Sequence, residues 1–273
     1  MGLQNEWVKF GEDGQYSGFL VLPEGPTAAE KPAVIVIQEI WGVDAHIQDV
    51  TIRFAKAGYV AFAPDLFHRD GVKAPALQED RVATAKRFLD TIPPAAWRDP
   101  EARGKALSEL PDSEGQAIGE TLEAIFSAGS QAPAYLELLA ASAGYLRGRA
   151  GGSRPRAVGA VGFCLGGMLA AQLAVRDTEL GAAVVFYGNL PQAEQVPQVQ
   201  CPMLGIFGEL DTRITDQVPA FAAAMELHGK PFEHRIYEGA PHAFANDTRA
   251  SYRPDAAQDA FARTFNFLRE HLV

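Results

Sequence analysis

The stretch that decides the fold is Ala157-Val-Gly-Ala-Val-Gly-Phe-Cys-Leu-Gly-Gly-Met-Leu-Ala-Ala-Gln-Leu-Ala-Val-Arg176. Its first part, Ala157–Gly162, is a short apolar run typical of a buried strand, and Leu165–Arg176 has the length of a helix. The pattern predicts a strand that turns sharply into a helix at Cys164. Glycines on both sides of Cys164 let the two backbones pass closely and leave its side chain exposed above the sheet.

Strands and helices alternate on both sides of this stretch. We predict strands at Tyr16–Leu22, Ala33–Ile37, Tyr59–Ala63, Ala182–Tyr187, Met203–Phe207 and Phe232–Tyr237. We predict helices at Asp44–Ala57, Ala76–Leu89, Pro133–Arg147, Asp216–His228 and Ala256–His271. This order indicates an α/β fold with a mostly parallel sheet and helices on both faces.

One segment departs from this alternation. Pro93–Gln131 is rich in Ala, Glu and Gly and has weak helical patterning around Ile118–Phe126, so we interpret it as a helical insertion and a possible cap. A Gly-Gly-Ser-Arg-Pro loop follows the next helix. No clear linker interrupts residues 1–273, and we expect a single domain.

A strand-to-helix turn of this kind with a central nucleophile is a nucleophile elbow, here with cysteine in place of serine. Two alternatives compete: small residues that serve packing alone, and a glycine-rich turn that cradles a dinucleotide. The dinucleotide alternative is weaker because the glycine spacing does not fit Gly-x-Gly-x-x-Gly and no acidic residue ends the next strand at Tyr187.

The order of possible partners favours catalysis, since such an elbow is followed in the chain by an acid and then a histidine. Asp211 comes just after one predicted strand and His242 just after another, so both should lie at the same sheet edge as Cys164. Glu209 is the main rival of Asp211. Among the other histidines, His68 also follows a strand, whereas the remaining ones sit in less suitable places: His46, His228, His234 and His271.

Composition excludes several classes of partner. The formal charge of -10 and pI near 5.1 disfavour nucleic acid and anionic membranes, and no apolar run is long enough to span a bilayer. We expect a cytoplasmic protein, a monomer or small homo-oligomer, without metal or cofactor.

Cys164 and Cys201 should lie at opposite ends of parallel strands, roughly 16 Å apart, beyond disulfide reach. The Asn246-Asp-Thr sequon is interpreted as a chance match.

Four motifs together resemble the dienelactone hydrolases, also called carboxymethylenebutenolidases, a family of α/β-hydrolases with a Cys-His-Asp triad. The motifs are Gln38-Glu-Ile-Trp-Gly42, Ala63-Pro-Asp-Leu-Phe67, Gly162-Phe-Cys-Leu-Gly-Gly167 and Pro241-His-Ala-Phe244. The likeness covers most of the chain outside Pro93–Gln131. It implies an α/β-hydrolase fold and cleavage of small esters or lactones.

The resemblance also implies roles for single residues. Cys164 would be the nucleophile, His242 the base and Asp211 its orienting acid. Glu39 would take the thiol proton when an anionic substrate enters, and a salt bridge to an arginine is its structural alternative. The other implied roles are oxyanion-hole amides at Ile40 and Leu165, a carboxylate-binding Arg69, and substrate contacts at Trp41, Tyr187 and Asn246.

One position departs from the family pattern. Family members of the dienelactone type place an arginine four residues after the histidine, where this chain has Asn246. Arg249 is a possible replacement.

Two other function classes stay open, a thiol-based redox sensor and a non-catalytic binding member of the same fold. A screen of small esters and lactones separates them from a hydrolase.

Overall fold

The computed structural model describes residues 2–25, 30–97, 99–149 and 157–273. The predicted Gly-Gly-Ser-Arg-Pro loop lies outside these residues. The strands are β1 Leu3–Phe10, β2 Tyr16–Pro23, β3 Ala33–Ile37, β4 Val60–Pro64, β5 His68–Arg69, β6 Val72–Lys73, β7 Val158–Phe163, β8 Ala182–Phe186, β9 Met203–Gly208 and β10 Phe232–Tyr237. The helices are α1 Ala45–Lys56, α2 Glu79–Thr91, α3 Pro100–Leu107, α4 Asp112–Phe126, α5 Ala132–Gly148, α6 Leu165–Arg176, α7 Thr212–Thr215, α8 Val218–Leu227 and α9 Pro254–Leu272.

Eight of the strands form one sheet in the order β1-β2-β4-β3-β7-β8-β9-β10. β2 pairs antiparallel with β1 and β4, and every pairing from β4 through β3 to β10 is parallel. The predicted mostly parallel α/β sheet is therefore confirmed. Because parallel strands all end at the same edge, the loops after β3, β7, β9 and β10 meet on one rim.

Helices cover both faces of the sheet. Along β3, Ile35 and Ile37 belong to a core shared with α5, α6 and α8, whereas Val34 and Val36 face a second core shared with α1 and α9. All five residues of β3 are fully buried. This two-sided burial explains why the strand is a continuous apolar run rather than an alternating one. Each of its valine and isoleucine side chains contributes about 1.5–3 kcal/mol on burial.

The segment predicted as a helical insertion contains α3 and α4, flanked by 3-10 turns at Pro94–Trp97 and Ala128–Gln131. Its apolar face forms a third core with α2, which includes Val82, Phe88, Ile118, Leu122 and Ile125 together with Trp41 from the rim. The segment is thus packed against the loop that follows β3.

Three local features were not predicted. β1 was missed because most of its side chains are exposed, which gives an edge strand no apolar pattern. The two-residue strands β5 and β6 are too short to leave a pattern. The helix predicted at Asp216–His228 is α8, which begins at Val218 with Pro219 in its first turn, and the short α7 before it was not predicted. No described helix has the length and apolar composition needed to cross a membrane.

Candidate active site

Cys164 occupies the turn between β7 and α6 with a positive φ of 56°. This conformation is unfavourable for a residue with a Cβ and is kept only where the surroundings enforce it. A Cβ at Gly162 would overlap the Gly166 carbonyl, and one at Gly166 would overlap the carbonyls of Ile37 and Gln38. The glycines therefore permit the close backbone approach that the sequence predicted.

His242 and Asp211 meet on the same rim. Asp211 follows β9 and His242 lies in the loop after β10, and the distance from His242 Nδ1 to Asp211 Oδ2 is 2.5 Å. Burial opposes protonation of His242, but the charge of the neighbouring Cys164 and the hydrogen bond to Asp211 raise its pKa to about 10. The raised pKa favours the imidazolium, and a cation beside a sulfur stabilises the thiolate that forms when the thiol loses its proton.

Glu39 lies just after β3 and is 2% exposed. Tyr187 donates its hydroxyl hydrogen to Oε1 at 3.3 Å, and the Asn246 amide donates to Oε2 at 2.8 Å. Both donors are neutral. Among the residues that the structure describes, no arginine forms the salt bridge with Glu39 that the sequence left open. The carboxylate is instead satisfied by hydrogen bonds, as a buried charge requires.

Both donors to Glu39 are themselves fixed in place. Tyr187 is fully buried, has a positive φ of 39°, and packs edge-on against the His242 ring at 5.2 Å between centroids. Burial and the charge of Glu39 raise the pKa of Tyr187 well above its usual value, so its phenol keeps its proton. The backbone N–H and hydroxyl of Thr248 donate to Asn246 Oδ1 at 3.0 and 2.7 Å, which turns the amide nitrogen toward Glu39.

The role of Thr248 was missed by sequence reasoning, although the signal was present in the sequon. Asn246 is completely buried. An Asn whose side chain accepts hydrogen bonds from the residue two positions later forms a local turn, and such Asn-x-Thr turns are common in loops. The chance match to a glycosylation site is therefore a structural turn that holds Asn246.

The rivals of the predicted triad residues have other partners. Glu209 accepts a hydrogen bond from the Gly239 N–H at 2.8 Å. His46 is buried and contacts Asp247 at 3.0 Å through Nδ1. His68 lines a cavity of about 460 Å³ with Trp7 and Lys73, and none of Cys164, Asp211 and His242 lines that cavity.

The two arginines considered for an anionic substrate lie in different surroundings. Arg69 stacks over the Tyr135 ring at 5.2 Å and donates to Gln131 at 3.3 Å. Arg249 pairs with Asp90 rather than with Glu39. Their roles toward a substrate stay predictions, as do those of Trp41 and of the oxyanion-hole amides at the end of β3 and the start of α6.

The second cysteine, Cys201, is more deeply buried than Cys164. Cys201 is 2% exposed, and burial raises its pKa to about 12. Both thiols are free. Within the described ranges, no group of three or more His, Cys, Asp and Glu side chains is placed to hold a metal ion.

Comparison with known proteins identifies a matching family and similar relatives of this chain. Residues 17–272 match the model of the "Dienelactone hydrolase family". The chain is 34% identical over 264 residues to the "Putative carboxymethylenebutenolidase" of Saccharolobus solfataricus, covering 96% of this chain and 97% of that one. It is 31% identical over 279 residues to the "Probable 2-oxo-3-(5-oxofuran-2-ylidene)propanoate lactonase" of Bradyrhizobium sp, covering 98% and 94%.

A solved structure supports the fold. The crystal structure of the "Putative Dienelactone Hydrolase from Klebsiella pneumoniae" superposes with a TM-score of 0.66 at 24% sequence identity, covering 97% of this chain and 98% of that one. At this identity the likeness concerns the fold alone.

Proposed function

Because the chain belongs to the dienelactone hydrolase family, we propose that it is a carboxylic-ester hydrolase that cleaves small esters or lactones with Cys164 as the nucleophile. One observation carries the proposal: a cysteine on a strained elbow neighbours His242, whose other side bonds Asp211. A nucleophile, a base and an orienting acid in this relation are the parts that acyl transfer needs.

In the first step the Cys164 thiolate attacks the ester carbonyl carbon. The negative charge that develops on the carbonyl oxygen is held by the backbone N–H groups of Ile40 and Leu165. The C–O bond then breaks, the acyl group stays on the sulfur as a thioester, and the departing enolate or alkoxide takes the proton of His242.

In the second step neutral His242 removes a proton from water while Asp211 holds the ring through Nδ1. The hydroxide attacks the thioester carbon, the thiolate of Cys164 leaves, and the carboxylic acid is released. The imidazolium that forms is the state favoured by the raised pKa of His242.

The substrates favoured by this chemistry have good leaving groups. A thiolate is itself a good leaving group, so a tetrahedral intermediate with a poor second leaving group returns to substrate. Enol-lactones and activated esters are therefore preferred over amides, and peptidase activity is not part of the proposal. The Bradyrhizobium relative, which is named as a lactonase, supports this class.

Glu39 is the proposed acceptor of the Cys164 proton when an anionic substrate enters. Its two neutral donors, Tyr187 and Asn246, leave it able to accept one more proton or hydrogen bond. Iodoacetamide labelling of Cys164 with and without a small carboxylate ligand tests this role. An equal response to the ligand in the wild type and in Glu39→Gln would remove it.

The decisive experiment replaces the nucleophile. Cys164→Ala is expected to abolish turnover of an enol-lactone and of a p-nitrophenyl ester, while Cys201→Ala, the matched control, retains it. Trapping of a thioester by rapid quench and mass spectrometry identifies the acylated residue. Full activity of Cys164→Ala would end the proposal and leave the thiol-sensor and binding alternatives.

A further inference from the structure

Arg249 lies between two tryptophans on the rim of the sheet. Its guanidinium carbon is 5.4 Å from the centre of the Trp41 ring and 5.2 Å from that of Trp97, and the two rings meet edge-on at 6.4 Å. A guanidinium within about 6 Å of an aromatic face is attracted by the ring quadrupole. Arg249 therefore holds two aromatic side chains at once.

The same guanidinium is paired with a carboxylate. Arg249 Nη2 is 2.8 Å from Asp90 Oδ1, and Nη1 donates to Asp90 Oδ2 at 3.3 Å. Only 10% of the Arg249 side chain is exposed, whereas Asp90 is 55% exposed. The fork-like pair fixes the direction of the guanidinium, which a lysine ammonium cannot reproduce.

These contacts join three parts of the chain that are distant in sequence. Trp41 directly follows Glu39 and Ile40 in the loop after β3, and Arg249 follows Asn246 in the loop after β10, where its N–H donates to the Asn246 carbonyl at 3.1 Å. Trp97 belongs to the helical segment and donates its indole N–H to the Leu89 carbonyl at 2.9 Å.

We propose that Arg249 is a positioning residue that fastens the helical segment of residues 93–131 to the two loops bearing Ile40 and Asn246. Through Trp41 it sets the position of the Ile40 amide, and through its own loop that of Asn246 and hence Glu39. This inference rests on the proposed function for its consequence in catalysis, but the contacts that carry it are independent of any substrate.

The first test separates kcat from KM. Arg249→Leu is expected to lower kcat for a p-nitrophenyl ester by about tenfold, with a change in KM of roughly twofold or less, because a misplaced amide acts in the transition state. Arg249→Lys is expected to restore part of the loss, since it keeps the charge over the rings but not the fork. Asp90 is already exposed, so the Leu variant leaves no buried unpaired charge.

The matched control is Arg81→Leu. Arg81 ties α2 to α4 by donating to the Ala117 carbonyl at 2.6 Å and to Glu120 at 3.1 Å, without contacting either rim loop. Arg81→Leu therefore loosens the packing of the helical segment against α2. If Arg249 acts only through the stability of that segment, both Leu variants lose the same activity, and the proposal is overturned.

The second test needs no ester. In a Trp7→Phe background only Trp41 and Trp97 remain of the three tryptophans. Arg249→Leu is expected to shift their emission and to increase quenching by acrylamide more than Arg81→Leu does, because Arg249 lies over both rings. Unchanged quenching in Arg249→Leu overturns the positioning role of Arg249, even if the wild type hydrolyses no ester. Increased quenching in that variant, together with no ester turnover by the wild type, removes only the proposed function.

Discussion

The elbow around Cys164 and the helical segment of residues 93–131 are both rich in small residues, but their glycines differ in how closely other backbone approaches them. At the elbow, a Cβ on Gly162 or Gly166 would overlap backbone atoms of a neighbouring element. In the helical segment, a Cβ on Gly104 or Gly129 would meet nothing within 4 Å. Gly115 is the exception in this segment, because its added Cβ would lie 2.7 Å from the Leu107 carbonyl oxygen. Close backbone contact thus constrains both elbow glycines but leaves Gly104 and Gly129 unconstrained.

The largest expected effect comes from filling the tight region. Gly162→Ala places a Cβ against the Gly166 carbonyl, and since backbone on both sides must move, we expect a loss of about 3 kcal/mol or more in the free energy of unfolding. Esterase activity should disappear with it. Urea denaturation measures the change, and a midpoint equal to that of the wild type would contradict the described packing.

A smaller but still large effect on activity is expected at Asp211, the carboxylate beside His242 on the rim. Asp211→Asn removes the charge that holds the His242 ring and should lower kcat/KM by about 10²–10⁴-fold. Glu209→Gln is the control, because Glu209 bonds the Gly239 backbone instead of His242. Steady-state kinetics on one activated ester compare the two variants. Equal losses of kcat/KM would contradict the assignment of Asp211 as the acid that orients His242.

The rim should also make stability depend on pH. The pKa of His242 is raised from 6.5 to about 10 in the folded chain. Protonation of His242 therefore stabilises the fold fully below pH 6.5, and this contribution is lost as the pH rises toward 10. Thermal unfolding of the wild type and His242→Gln across this range should show a difference that shrinks with rising pH; a constant difference speaks against the protonated imidazole.

The smallest effect is expected in the open region. Gly104 is an exposed residue inside α3 with open space around its Cα, so Gly104→Ala should raise the free energy of unfolding by about 0.5–1 kcal/mol. Activity should be unchanged. A destabilised variant would show that the segment packs more tightly around Gly104 than the structure indicates.

Much of the site follows from chain order and strand ends. Cys164, Asp211 and His242 each follow a strand of a parallel sheet, which brings them to one rim whatever the details of their loops. This reasoning could not identify the groups that donate hydrogen bonds to Glu39. Tyr187 donates its hydroxyl hydrogen to Glu39, a pairing of residues 148 positions apart, and its predicted contact with a substrate stays a prediction.

By itself the sequence determined the parallel α/β sheet, the elbow and the shared rim, because apolar runs, glycine spacing and the order of strands are local or topological properties. Only the tertiary structure decided that Glu39 is held by neutral groups and that Arg249 turns to Trp41, Trp97 and Asp90. Long polar side chains reach several partners from one backbone position, so their choice depends on distances that no pattern along the chain encodes.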